Sequence, residues 1–132
     1  MTTTATLQRG DLVPHFTLRS VNGEDISYKS IWQTEQLVLI ALPAAHSPAV
    51  DRYVSSIAAR KDEFAANQTT CVVTRDRVEG LPPPAVVVAD RWGEIAYVSR
   101  GRDVTDLPSA DELVDWIQYV QRKCPECEGE AF

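Results

Sequence analysis

The sequence predicts an α/β domain on a mixed central sheet. Three observations carry this. An apolar run, Leu37–Leu42, and a β-branched run, Thr69–Thr74, flank a stretch with helical spacing, which is the pattern of a parallel βαβ unit. A hairpin signal, Asn22-Gly23, precedes that unit. A second hairpin and a capped helix follow it.

Each element has a local cause. Phe16 and Leu18 alternate with polar neighbours, as a half-buried strand does, and Asn22-Gly23 predicts a two-residue turn because both residues accept positive φ. Tyr28–Gln36 holds Ile31 and Trp32 in a polar setting and predicts one or two helical turns. Leu37–Leu42 is apolar throughout, which suits a central strand covered on both faces. Ser47 caps a helix with Pro48 in its first turn, and Val50, Val54, Ile57, Ala58 and Phe64 carry that helix from about Pro48 to Ala66. Thr69–Thr74 is a second internal strand. Arg75–Pro84 is a loop ending in three prolines, with no room for a helix. Ala85–Ala89 and Ile95–Val98 form the second hairpin around Asp90–Glu94. Ser109 caps a last helix with Leu113, Trp116, Ile117 and Val120 on one stripe, ending near Lys123.

The 132 residues are expected to form a single domain, with 1–8 and 125–132 as loose ends. The composition, 44% hydrophobic and 24% charged, is that of a soluble globular protein. A net charge of −6 without a basic run argues against a nucleic-acid partner. No apolar run approaches the ~20 residues of a membrane span, and Met1–Leu7 lacks the features of a signal peptide. A cytoplasmic location with reduced thiols is the expectation.

The segment Pro43-Ala44-Ala45-His46-Ser47-Pro48-Ala49-Val50 resembles the active-site segment of peroxiredoxins of the alkyl hydroperoxide reductase/thiol-specific antioxidant family. There the pattern P-x-x-x-T/S-x-x-C ends in the cysteine that attacks peroxide. Here Pro43 and Ser47 match and Val50 occupies the cysteine position. The opening Gly10, Val13, Pro14, Phe16, Leu18, Gly23, Ile26 and Ser27 resembles the redoxin N-terminal hairpin. Pro84–Ile95 resembles the thioredoxin-family P-T-x-F-x-I-D-x-x-G-x-I segment, in which the proline is cis. The resemblance covers residues 9–123 and implies a thioredoxin-like fold with one usual helix missing. It also implies that Pro84 stands where peroxiredoxins commonly carry the arginine that polarises peroxide. Nucleophile and arginine are then both absent, and the active-site segment is degenerate.

The remaining candidates are few. His46 shares the loop and could serve as a base or ligand, but a loop histidine in water is the simpler reading. His15, on the first strand, reads as structural, and Cys71, inside a β-branched strand, as a buried inert thiol. Cys124-Pro125-Glu126-Cys127 has redox-dithiol spacing but follows a helix, whose negative end, with Glu126, Glu128 and Glu130, disfavours the thiolate. The pair can be a redox dithiol serving a disulfide partner protein, a metal half-site completed across a dimer, or a tail without specific chemistry. No cofactor is implied. A non-catalytic interaction module is the alternative from a different class. The missing helix is expected to leave one sheet face uncovered, which favours a homodimer across it.

Overall fold

The computed structural model describes residues 6–122. Its strands are β1 (Thr17–Arg19), β2 (Asp25–Ser27), β3 (Gln36–Ala41), β4 (Thr69–Thr74), β5 (Ala85–Ala89) and β6 (Ile95–Arg100). Its helices are α1 (Pro48–Ala58), α2 (Lys61–Ala66) and α3 (Ala110–Arg122). One sheet has the order β4-β3-β5-β6, and β1-β2 is a separate hairpin. β3 and β4 run parallel, with Val38 opposite Cys71, and the other pairings are antiparallel. The mixed sheet and the parallel unit are as the sequence predicts.

β3 lies at the centre because it can be buried on both faces. Its residues Leu37–Ala41 are at most 1% exposed. Val38 and Ile40 face α1, α2 and α3 together with Val86 and Val88 of β5. Leu37, Leu39 and Ala41 face the opposite layer with Ala85, Val87 and Ala89. Each fully buried large aliphatic side chain contributes about 1.5–3 kcal/mol.

The layer opposite the helices corrects one expectation. No helix lies between β4 and β5, yet the sheet face is not bare. Val13, Leu18, Tyr28, Ile31, Val78 and Leu81 cover it, each at most 6% exposed. The Arg75–Pro84 loop supplies two of these by turning back on itself, where Leu81 N–H donates to Val78 O at 3.1 Å. The face on which a homodimer was expected is therefore already occupied by the chain itself.

Three local differences have physical causes. The first hairpin turn is longer than two residues: Gly23 N–H donates to Ser20 O and Ser20 N–H to Glu24 O. Only Gly23 takes positive φ (92°), while Asn22 uses its side-chain oxygen to accept Glu24 N–H at 3.2 Å. The helix expected over Pro48–Ala66 breaks between Ala58 and Lys61 without a glycine or proline. At this joint the Arg60 guanidinium reaches both Glu63 on α2 and Asp111 on α3. Finally, Leu7 and Gln8 are not loose: Leu7 N–H donates to Gly80 O at 2.8 Å and Gln8 N–H to Asp11 Oδ2 at 2.9 Å.

Candidate functional site

The loop after β3 is built by the strand before it and the helix after it. Leu42 prolongs the parallel ladder by donating its N–H to Thr74 O at 2.8 Å, and Pro43 then leaves the sheet. Ser47 Oγ accepts Val50 N–H at 3.2 Å, Pro48 stands in the first turn, and Asp51 favours the positive helix end. This cap fixes Val50, which is 3% exposed and packs into the core with Ile57 and Leu42. His46 is exposed in the same loop.

Pro84 arrives from the other side. Ala41 pairs with Ala85, so Pro84 flanks Leu42 at the same sheet end, and its preceding peptide bond is cis, as the resemblance implies. Pro84 O accepts Gly101 N–H at 3.2 Å. A Cβ at Gly101 would lie 2.5 Å from Asp106 Cβ, so this contact requires glycine. The fold thus brings Pro43, Ser47, Val50 and Pro84 to one end of the sheet. Cys124 and Cys127 lie outside the described residues. His15 is exposed, with its ring edge-on to Tyr28 and Trp32.

Sequence reasoning missed Arg75. Its Nη1 donates to Pro43 O at 3.0 Å, so a guanidinium does stand at this loop, holding its first carbonyl. The signal was available. β3 and β4 are parallel, so the first residue beyond β4 must lie beside the first residues beyond β3.

Residues 43–50 contain no cysteine. Cys71 is the only cysteine among the described residues and is reduced. It sits opposite Val38 in mid-strand, and burial pushes its thiol pKa up to about 12. Tyr53 OH donates to Pro108 O at 2.8 Å, and burial also pushes its pKa up. Among the described residues no group of three or more His, Cys, Asp or Glu side chains is placed to hold a metal ion. None of their helices is long and apolar enough to cross a membrane.

These features define a thioredoxin-like fold that opens with a hairpin. Comparison with protein-family models finds no match, and neither does comparison with curated proteins. Solved structures do match. Reduced 2-Cys peroxiredoxin of Plasmodium vivax aligns with a TM-score of 0.69 at 11% identity, over 86% of this chain and 82% of that one. Yeast mitochondrial 1-Cys peroxiredoxin aligns with a TM-score of 0.69 at 16% identity, over 88% and 77%. Peroxidoxin BcpB of Mycobacterium tuberculosis aligns with a TM-score of 0.61 at 16% identity, over 88% and 97%. The chain has a peroxiredoxin-like thioredoxin fold.

Proposed function

We propose that this chain is a redoxin whose thiol chemistry has left the loop of residues 43–50 and belongs to Cys124 and Cys127. The observation that supports this is Val50, a buried aliphatic residue on the capped first turn of α1, where the resemblance calls for a thiolate. Valine offers no lone pair, and Cys71 is held as a neutral thiol. The substrate class is a disulfide in a partner protein. One thiolate of the pair attacks it, forming a mixed disulfide and releasing one partner thiolate. The second thiol of the pair resolves the mixed disulfide. The Cys124–Cys127 bond forms, and two electrons and two protons pass from the pair to the partner, which is released as a dithiol.

The second reading is a non-catalytic interaction module, which the same Val50 burial favours if the tail pair is inert. Reduction of a protein disulfide and of hydrogen peroxide, each with a thiol reductant, separates the two. Cys124→Ser and Cys127→Ser should abolish disulfide turnover, while Cys71→Ser and Val50→Ala keep it. Equal turnover in the protein lacking both tail cysteines would overturn the redox reading.

A further inference from the structure

Aromatic and acidic side chains converge on one face of α3. Glu112, Asp115, Trp116 and Tyr119 follow the spacing i, i+3, i+4, i+7, so one side of the helix carries all four. Together with Arg9 they line a recess of about 370 Å³, the volume of a small-molecule site. The core stripe of α3 lies beside this face, where Leu113 and Ile117 are fully buried.

The two rings form a corner, not a flat patch. Trp116 and Tyr119 stand at 88° to each other, with ring centroids 5.8 Å apart. Tyr97 of β6 stacks on Trp116 at 4.4 Å and 22° and so backs the indole wall. Trp116 is half-buried, and Tyr119 is 41% exposed. The face of an aromatic ring is its negative pole, and two rings at a right angle present such faces to one volume.

The charges around the corner favour a cation. Glu112 is fixed by the helix cap: its Oε1 accepts Ser109 N–H, and its own N–H donates to Ser109 Oγ, both at 3.2 Å. Among the described residues Asp115 has no ion-pair partner. Arg9 brings a positive charge to the rim, because Gly10 N–H donates to Ile95 O at 2.8 Å and pins that segment beside β6. Two carboxylates against one guanidinium leave one negative charge in excess.

We propose that this recess binds a free quaternary ammonium ion, a trimethylammonium head on a short stem. The ring faces of Trp116 and Tyr119 hold the head, and the carboxylates of Asp115 and Glu112 neutralise it. A primary ammonium is compact and strongly hydrated and needs several close acceptors, whereas one oxygen of Glu112 already serves the helix cap. A trimethylammonium donates no hydrogen bond and asks only for ring faces and negative charge. With two walls and an open side, the site should hold such an ion with a Kd of about 1–10 mM. Arg9 opposes the ligand as a like charge at the rim. No thiol takes part, so the site stands apart from the redox reading.

Titration of the 132-residue chain with choline at low salt, followed at the Trp116 indole N–H by heteronuclear NMR, tests this. Trp116→Phe assigns that resonance among the three indoles. Choline should shift it saturably, and the uncharged tert-butyl analogue of choline should bind about tenfold more weakly or not at all. Tyr119→Leu, at an exposed position, should weaken choline about threefold or more. Asp115→Asn should weaken it about two- to fivefold, and Arg9→Gln should tighten it by a similar factor. Both are surface changes that leave the core intact, and thermal unfolding verifies the fold of each variant. No saturable shift at Trp116, equal affinity for the uncharged analogue, or weaker binding in Arg9→Gln would overturn the proposal. A trimethyllysine peptide that binds where choline does not would give the head to a protein partner and overturn the free-ligand assignment.

Discussion

Replacing Gln36 by glutamate should make the stability of this protein depend steeply on pH. Gln36 opens β3 and is 6% exposed. Its Nε2 lies 3.1 Å from Thr69 Oγ1, 3.2 Å from Ile117 O and 3.3 Å from Asn67 O. Thr69 spends its own hydroxyl proton on Asn67 O at 3.1 Å, so all three partners act as acceptors. Gln36→Glu keeps the shape and aims a carboxylate at three oxygens. The escape is protonation, which at pH 7 costs about 3.7 kcal/mol for a carboxyl of ordinary pKa near 4.3 and restores one donor. The loss at pH 7 should be about 2–4 kcal/mol, which lowers the urea midpoint by about 1–2 M for an ordinary m-value. The sign follows from linkage. The carboxyl pKa is raised in the folded state, so from about pH 4.3 upward the folded chain holds a proton the unfolded chain has lost. The variant weakens as pH rises and recovers to within about 1 kcal/mol of the parent below that value. Gln36→Leu, with no charge to titrate, should cost about 1 kcal/mol at both pH values. A Gln36→Glu penalty that is the same at pH 4 and pH 7, or under 1 kcal/mol at pH 7, would refute the donor assignment.

Three further outcomes are expected. Val50→Ala should destabilise by about 1–3 kcal/mol in urea titration and leave disulfide and peroxide turnover unchanged, because the residue only fills the core. Cys71, with its pKa pushed up to about 12, should resist alkylation at pH 8. Its unfolded form ionises first, near pH 8.5, so the parent should lose about 1–2 kcal/mol relative to Cys71→Ala between pH 7 and pH 10, and equal pH profiles would contradict the burial argument. Tyr28 OH is buried without a partner among the described residues. Tyr28→Phe should therefore be neutral or stabilising within about 1 kcal/mol in thermal unfolding, and a larger loss would reveal a partner.

The sequence was most legible where one residue type answers one local need. The run Leu37–Leu42 needs two apolar layers, the Ser47-Pro48 pair needs a helix start, and the opening hairpin needs a glycine at its turn. These local needs determined the topology. Legibility failed where the cause is tertiary. The break between α1 and α2 has no breaker residue and is tied instead to Arg60 reaching Asp111, 51 positions away. The cover over the second sheet face comes from single apolar residues dispersed over loops, such as Val13, Val78 and Leu81, which show no periodicity. Arg75 was hidden for another reason. An arginine after a strand is unremarkable until the parallel register sets it beside Pro43. At the candidate site Ser47 and Pro48 announce the helix start, and the fold shows Val50 behind them packed into the core.

The central claim is that the redox-competent sulfurs are Cys124 and Cys127 and that Cys71 and the 43–50 loop take no part. Intact-mass titration of the chain through a series of glutathione redox buffers, with peptide mapping of the product, tests it most directly. The expected result is one reversible loss of two hydrogens that maps to a Cys124–Cys127 bond, with Cys71 reduced throughout. Three thiols that stay reduced across the series, or a reversible bond that omits either tail cysteine, would contradict it.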